Sequence, residues 1–320
     1  MNILVTGGCG FIGSNFIRHV LSEENGYSII NLDKITYAGN IANLQDLVGD
    51  PRYTFIRGDI CDKRLVDLVF HKHSIETVVH FAAESHVDRS ITDSSPFVMT
   101  NVLGTQVLLD AALHHGITQF IHISTDEVYG STASGSFTEF DNLHPSSPYS
   151  ASKAASDLLV HAYYTTHDLP ALITRCTNNF GPYQYPEKLI PLFITNLLEG
   201  RNVPVYGTGK NVRDWIYVLD HCRAIEFLMD RGKPGEIYNI GGRNEKTNLE
   251  ITYLILELLG KDKSMIEYVK DRPGHDFRYS LDCSKIRGAG WQPEYKFEDA
   301  MVQTIEWYRR NEWWWKPLKK

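Results

Sequence analysis

A glycine-rich turn near the start of the chain most constrains what this sequence can fold into. The run TGGCGFIG places Gly7, Gly8, Gly10 and Gly13 directly after the apolar run NILVTG and at the start of a helical pattern. Gly8, Gly10 and Gly13 satisfy the spacing G-x-G-x-x-G. Such glycines allow a tight turn in which backbone N–H groups and a helix N-terminus face a phosphate. The turn therefore predicts a dinucleotide-binding strand–turn–helix unit, although a glycine-rich turn without a ligand would have the same local sequence.

An aspartate follows the turn at the distance that a dinucleotide site requires. Asp33 ends the strand-like run YSIINLD, about 20 residues after Gly13. A carboxylate there can accept hydrogen bonds from the adenosine ribose and would repel a 2′-phosphate. The sequence therefore favours NAD over NADP. Asp59 and the run FAAES follow the next two strand-like runs, where the adenine and the middle of the cofactor would lie.

Strand-like and helical patterns alternate through the first half of the chain. YTFIRGD, TVVHFAA and QFIHIST are β-rich runs, and helical patterns such as VLGTQVLLDAALHHG separate several of them. This alternation predicts an α/β fold with a doubly wound parallel sheet (Rossmann) that binds ligands at the carboxyl ends of its strands. The alternation of strand-like and helical runs ends after about residue 176, which predicts a smaller irregular C-terminal substrate lobe. We expect an NAD-binding domain over 1–176, rejoined by segments near 213–240, and a mainly substrate-binding domain over 177–320.

Composition narrows the classes of partner. The formal net charge of −7 over 320 residues argues against non-specific binding to nucleic acid. The five cysteines form no C-x-x-C pair, so we expect neither a disulfide framework nor a metal site. We find no apolar run long enough to span a bilayer. The chain starts at once as a strand with no targeting segment, so we expect a cytoplasmic protein without membrane contact.

Tyr149 and Lys153, in the run YSASK, are spaced to lie on one face of a helix that begins near Pro148. A lysine ammonium stabilises a nearby phenolate and lowers its pKa, which can make a tyrosine a base near neutral pH. The same pair is common on protein surfaces. It gains weight here from the dinucleotide fold and from Ser124 and Thr125 at a preceding strand end.

Two adjacent carboxylates, Asp126 and Glu127, follow in the run STDEVYG. Adjacent acids on a loop are most often solvated surface charges. At the carboxyl end of a strand and beside a tyrosine base, they could instead act as an acid and a base. Removal of water needs both, because one group must take a carbon-bound proton while another protonates the departing hydroxyl.

These motifs resemble one family. TGGCGFIG, Asp33, the Ser124–Thr125 pair and YSASK are similar to the extended short-chain dehydrogenase/reductase family, whose nucleotide-sugar branch contains epimerases, dehydratases, reductases and decarboxylases. STDEVYG resembles the dTDP-glucose 4,6-dehydratases of that branch, because its 4-epimerases usually carry small or apolar residues after the Ser/Thr. DKITYAGN, AAESHVDRSI, NNFGPYQYPEKLIP, GKNVRDWIYVLDH and RPGHDFRY look like the same group, so the resemblance covers nearly the whole chain.

The resemblance implies an NAD-dependent hydro-lyase reaction that converts dTDP-glucose to dTDP-4-keto-6-deoxy-glucose, a step towards dTDP-L-rhamnose or another deoxysugar. Tyr149 would take the proton of the 4-hydroxyl as C4 gives hydride to NAD⁺, Lys153 would hold the nicotinamide ribose, and Thr125 would bind the 4-oxygen. Glu127 would remove the C5 proton while Asp126 protonates the C6 hydroxyl, before the hydride returns to C6. The two acids should have pKa values pushed apart, and the sequence leaves open which one holds the proton at rest.

The resemblance also implies two sets of ligand contacts. The cofactor set is Gly7, Gly10, Phe11, Ile12, Gly13, Asp33, Lys34, Thr36, Asp59, Ile60, Phe81, Ala82, Ala83, Thr100, Tyr149, Lys153 and Asn179. The substrate set is Ser85, Thr125, Asn178, Lys188, Leu189, Pro204, Tyr206, Arg213, Asn248, Arg272 and His275. His86 is a weaker candidate, because a single histidine is most often structural.

Two other functions stay open. A nucleotide-sugar 4-epimerase would need neither acid, and a non-catalytic NAD-binding sensor or scaffold could use the same fold. The resemblance further implies a homodimer that pairs the helix through VLGTQVLLDAALHH and the helix that starts at Tyr149. The aromatic run NEWWW is expected to pack on the core or on a neighbouring chain rather than bind a base.

Overall fold

A parallel sheet with helices on both faces forms the centre of the molecule. The computed structural model describes residues 1–22, 26–271 and 276–319. Its strands are β1 (Asn2–Thr6), β2 (Ser28–Asp33), β3 (Tyr53–Arg57), β4 (Thr77–His80), β5 (Gln119–Thr125), β6 (Ala171–Cys176), β7 (Asn178–Phe180), β8 (Val203–Tyr206), β9 (Val212–Tyr217), β10 (Ile237–Ile240), β11 (Glu245–Thr247) and β12 (Ile266–Val269). Its helices are α1 (Phe11–Ser22), α2 (Lys63–His73), α3 (Val87–Thr92), α4 (Ser95–Phe97), α5 (Thr105–His115), α6 (Pro148–His167), α7 (Leu189–Leu198), α8 (Val218–Arg231), α9 (Asn248–Leu258), α10 (Ser284–Gly288), α11 (Phe297–Arg310) and α12 (Glu312–Trp315).

The large sheet has the strand order β10-β6-β5-β4-β1-β2-β3, and every neighbouring pair is parallel. Leu4 at its centre pairs with Ile30 on one side and Val78 on the other, and all three are buried. Strands that are covered on both faces read as continuous apolar runs, which is why NILVT and TVVH carry few polar residues. The prediction of a doubly wound parallel sheet is confirmed.

A late segment of the chain returns to this sheet. β10 pairs with β6, and α8 packs on α1, where Val218, Cys222 and Ile225 share a core with Phe16 and Ile17. The remaining segments form a smaller lobe with a three-stranded sheet, β11-β9-β7, and a two-stranded one, β12-β8. Helices α7, α9 and α11 cover that lobe's core. The domain boundary at residue 176 stays a prediction.

One continuous helix is longer and more apolar than the sequence analysis expected. Ser95–His115 is long and apolar enough to cross a membrane by length and composition alone, although polar residues interrupt it and it is not a continuous apolar run. The same test is passed by core helices of soluble proteins, and 44% of this segment's apolar window is buried inside the molecule. It packs between α2 and α6. Its middle, Val98–Gly104, is a π-helix, a local widening that is frequent at functional sites.

The C-terminal aromatic run packs on the core. Trp314 and Trp315 are buried, and their indole N–H groups donate to the Asn43 side chain (2.6 Å) and to the Tyr308 carbonyl (2.8 Å). Buried tryptophans of this kind satisfy their one donor while burying a large apolar surface. The packing prediction is confirmed for these two residues, whereas Trp313 stays 52% exposed.

Candidate active site

The glycine-rich turn leaves no room for side chains. Gly7 has a φ of +71°, and a Cβ there would lie 2.6 Å from the backbone nitrogen of Ala82. A Cβ on Gly13 would lie 2.5 Å from the Gly7 carbonyl oxygen. The turn closes through a hydrogen bond from Gly10 N to Gly7 O (3.1 Å), and α1 begins at the next residue. The helix N-terminus and the bare backbone therefore line a cavity at the carboxyl edge of the sheet, a cradle that fits a diphosphate.

Asp33 lies in the same cavity at the end of β2. Its carboxylate accepts hydrogen bonds from the backbone N–H groups of Cys9 (2.8 Å) and Ile35 (2.7 Å). Burial raises its pKa, and these two donors oppose that rise. Beside it, Lys34 and Asp59 form an ion pair of 2.6 Å. The turn and these acids have the donors, the space and the charge that a dinucleotide with free ribose hydroxyls requires.

The five candidate catalytic side chains come from the end of β5, the turn that follows it and the start of α6, which meet beyond this cradle. Thr125 ends β5, and a 3₁₀ turn over Asp126–Tyr129 starts at the following residue. Tyr149 and Lys153 lie in the first two turns of α6, whose start is fixed by a capping box at Ser147 and by Pro148. Thr125, Asp126, Glu127, Tyr149 and Lys153 all line the cavity. The structure thus brings together the residues that the sequence separates by more than twenty positions.

The two adjacent acids have different environments. Asp126 is 3% exposed, and burial, followed by the charge of Glu127, raises its pKa well above the usual range. Its Oδ1 accepts a hydrogen bond from the Thr125 hydroxyl (3.2 Å). Glu127 is only half-buried and lines both this cavity and the one beside it. Asp126 is therefore suited to hold a proton at rest and to donate it, and Glu127 is suited to accept one.

We expect the Asp126→Asn variant to gain stability over the parent chain as the pH rises. The unfolded carboxyl ionises near 3.8, and the folded one at a much higher pH. Between these pKa values the folded state holds an extra proton, so stability falls by about 1.4 kcal/mol per pH unit, a loss that asparagine avoids. Thermal unfolding from about pH 5 to pH 8 should show a widening gap in Tm. Asp93→Asn, at an exposed site, is the control; a gap independent of pH would contradict the assignment.

The environment of Tyr149 differs from the expectation. Burial, and next the charge of Glu127, raises the pKa of Tyr149 well above its usual range, while a hydrogen bond with Thr125 opposes the rise. The expected lowering by Lys153 towards neutral pH is not what this structure gives. Lys153 itself is 4% exposed and donates to the Ile123 carbonyl (2.7 Å). Burial lowers the pKa of Lys153 to about 8.

A second cavity adjoins the first on the side of the smaller lobe. Glu127, Ser85, Asn178 and Lys188 line both cavities, so they mark the junction. Arg213 is 6% exposed, stacks on the Tyr279 ring (4.3 Å) and donates to the Asp276 carbonyl (3.0 Å). An arginine held in this way presents a fixed positive charge to an anionic ligand.

The structure places nearly all of the predicted contacts in these two cavities. The whole predicted cofactor set lines the first one. Of the predicted substrate set, Thr125 lines the first cavity, and the following line the second: Ser85, Asn178, Lys188, Leu189, Pro204, Tyr206, Arg213 and Asn248. His86 also lines the second cavity. Arg272 and His275 lie outside the described residues.

Comparison with known proteins identifies the group to which this site belongs. A family model described as GDP-mannose 4,6 dehydratase matches residues 4–304. The dTDP-glucose 4,6-dehydratase of Streptomyces niveus is 54% identical over 324 residues, which covers 100% of this chain and 96% of that protein. The chain belongs to the dTDP-glucose 4,6-dehydratase family.

Solved structures of this dehydratase family share the fold throughout. DesIV of Streptomyces venezuelae, a dTDP-glucose 4,6-dehydratase with NAD and dTDP bound, has a TM-score of 0.97 and 53% identity, and the match covers 100% of both chains. The dTDP-glucose 4,6-dehydratase of Bacillus anthracis, in complex with NAD, has a TM-score of 0.94 and 50% identity, again over 100% of both chains.

Sequence reasoning missed several side chains of this dehydratase-family site. Tyr37 and Glu84 line the first cavity, and Glu187 and Tyr279 line the second. Glu84 is fixed by Asn101, which accepts from its backbone N–H (2.8 Å) and lies in the π-helix. All four residues lie in the stretches DKITYAGN, AAESHVDRSI, NNFGPYQYPEKLIP and RPGHDFRY, but no local spacing shows that they converge.

Proposed function

We propose that this protein is an NAD-dependent dTDP-glucose 4,6-dehydratase. One observation carries the proposal: a buried carboxyl whose pKa is raised by burial, Asp126, lies next to a half-buried carboxyl, Glu127, at the junction of a dinucleotide cavity and a second, arginine-containing cavity. A 4-epimerase would need neither acid. The family membership and the NAD and dTDP in the related DesIV structure support the same cofactor and nucleotide.

The chemistry follows from where these side chains lie. In its phenolate form, which is a minor form because burial raises the pKa of Tyr149, this side chain takes the proton of the 4-hydroxyl, and Thr125 would orient that hydroxyl. When bound, NAD⁺ supplies the redox chemistry by accepting a hydride from C4 and later returning it to C6. The resulting 4-ketone acidifies the C5 proton, which Glu127 removes as Asp126 donates its proton to the departing C6 oxygen. Glu127 returns its proton to C5 as the hydride reaches C6, and the proton taken up by Tyr149 is given back through solvent to restore Asp126. One water leaves, and no net oxidation occurs.

We assign one of the two ligands to each cavity. At the carboxyl edge of the large sheet, the start of α1 would hold the diphosphate of NAD and Asp33 would hold its adenosine ribose. The sugar nucleotide lies in the second cavity, with Arg213 and Lys188 near its diphosphate. Asn178, Asn248, Leu189, Pro204 and Tyr206 complete its surroundings. The burial and positive charge of Arg213 support this placement.

Incubation with dTDP-, UDP-, GDP- and CDP-glucose tests the proposal. We expect dTDP-glucose to lose the mass of one water and to give the base-induced absorbance of a 4-keto-6-deoxy sugar. A galacto product of unchanged mass would instead support a 4-epimerase. Intact substrates after prolonged incubation with NAD bound would support a non-catalytic binding protein and overturn the proposal.

We also propose a cytoplasmic homodimer that supplies a deoxysugar pathway such as that of dTDP-L-rhamnose. Apolar side chains are exposed on the two helices that the resemblance pairs: Met99 (50%), Leu103 (37%) and Leu158 (62%). Exposed apolar side chains on both of these helices favour a partner surface. Light scattering should give twice the mass of 36.5 kDa, and Leu158→Glu should shift it towards the monomer. A monomeric parent chain would contradict the homodimer.

A further inference from the structure

A buried group of charges lies behind Lys153, outside both cavities. Asp157, one turn further along α6, is 1% exposed, and Arg175 on β6 is 3% exposed. Arg175 Nε donates to Asp157 Oδ2 (2.9 Å), and His122 Nε2 lies 3.4 Å from Asp157 Oδ1. Burying charges is costly unless they are paired, so such a group needs a reason to persist beside a reactive centre.

Several ionisable side chains of this group and its neighbours surround Lys153. The ionisable side chains that face it from the described elements are Asp157 on its own helix, His122 on β5, His80 on β4 and Cys176 on β6. Burial lowers the pKa of His122 to about 4 and that of His80 well below its usual value, and it raises the pKa of the Cys176 thiol to about 12. These three groups are therefore uncharged near neutral pH, and Asp157 supplies the negative charge.

The same group reaches the two acids from behind. Arg175 donates to the Tyr129 hydroxyl (2.8 Å) and stacks on that ring (4.7 Å). Tyr129 belongs to the 3₁₀ turn that carries Asp126 and Glu127, and its hydroxyl donates to Asn239 on β10 (2.9 Å). One arginine thus joins the helix that carries Tyr149 and Lys153 to the turn that carries the acid pair.

We propose that Asp157 is a positioning residue that keeps Lys153 protonated, with Arg175 fixing its carboxylate and tying it to the turn of Asp126 and Glu127. The inference rests on the proposed function, since it assigns these residues to the same reaction. Burial has already brought the pKa of Lys153 to about 8, and the charge of Asp157 is the largest influence that raises it. Without the charge of Asp157, Lys153 should lose its proton at a lower pH.

The pH dependence of turnover tests this role. In Asp157→Asn, the alkaline limb of kcat for dTDP-glucose should move down by about one pH unit or more. Asp157→Glu keeps the charge and should restore the limb. Tyr129→Phe breaks the contact of Arg175 with the turn but leaves the charge of Asp157, so its limb should stay where it is in the parent chain. A uniform loss of kcat in Asp157→Asn with an unmoved limb would overturn the proposal.

A double variant keeps the proposal testable if Asp157→Asn fails to fold. Asp157→Asn leaves Arg175 buried and unpaired, whereas Asp157→Asn with Arg175→Gln removes both charges. The alkaline limb of kcat in this double variant should also move to lower pH. A limb in the position of the parent chain would overturn the proposal.

A measurement without substrate separates this inference from the proposed function. Lys153 ionises at about 8 when folded, against 10.5 when unfolded. Between those values the unfolded state binds more protons, so stability rises with pH. In Asp157→Asn, folded Lys153 should lose its proton at a lower pH, so the stability of the variant should begin to rise with pH earlier. The amount by which the Tm of the variant lies below that of the parent chain should therefore shrink from about pH 6 to pH 8. A constant deficit overturns the inference even if dTDP-glucose is dehydrated. A narrowing deficit with no turnover overturns only the proposed function.

Discussion

Replacing Glu127 with glutamine should stop the loss of water while C4 oxidation continues. Glutamine keeps the size of the side chain but cannot take the C5 proton, so the reaction should halt at the 4-keto stage with the cofactor reduced. Loss of a positioned general base costs about 10²–10⁴-fold. Stopped-flow absorbance should show reduced nicotinamide forming at close to the normal rate, whereas the yield of 4-keto-6-deoxy product falls by that factor.

The matched control for this prediction is Glu257→Gln on α9, an exposed position on the smaller lobe. It should turn over like the parent chain. The double variant Asp126→Asn with Glu127→Gln should also oxidise C4 and fail to eliminate water. If the double variant dehydrates the substrate at the normal rate, the acid–base assignment of this pair is wrong.

The different roles of Asp126 and Glu127 show what the sequence could and could not predict. The glycine turn, Asp33, and the spacing of Tyr149 and Lys153 are local patterns, and each depends on the geometry of one turn or one helix. The protonation of Asp126 is not local. It depends on burial by segments far along the chain, including the nearby Arg213, whose charge opposes the rise in its pKa. The sequence therefore predicted the pair and left its resting proton open.

Long-range contacts also explain what sequence reasoning missed or misjudged. Asp157 is four residues after Lys153, but its partner Arg175, and the Tyr129 hydroxyl that Arg175 contacts, are brought near it only by the pairing of β5 with β6. The sequence indicates only the later part of helix Ser95–His115, as VLGTQVLLDAALHHG, because polar residues interrupt the apolar pattern before it. Tyr149 was expected to have a lowered pKa from its spacing to Lys153, yet burial and the charge of Glu127 act in the opposite direction.

The Tyr149→Phe variant should fail one step earlier than the acid variants. Without the hydroxyl, no group takes the proton of the 4-hydroxyl, so hydride cannot leave C4. We expect a loss of about 10²–10⁴-fold in the formation of reduced nicotinamide as well as in product.

Tyr253→Phe on α9, an exposed tyrosine, is the control and should change neither step. The contrast with Glu127→Gln decides the order of events, since that variant accumulates reduced cofactor and Tyr149→Phe should not. If Tyr149→Phe forms reduced cofactor at the normal rate, another group takes the first proton. Asp126, which already holds its own, is a poor candidate, so Glu127 would then serve both steps, and the double acid variant should lose C4 oxidation as well.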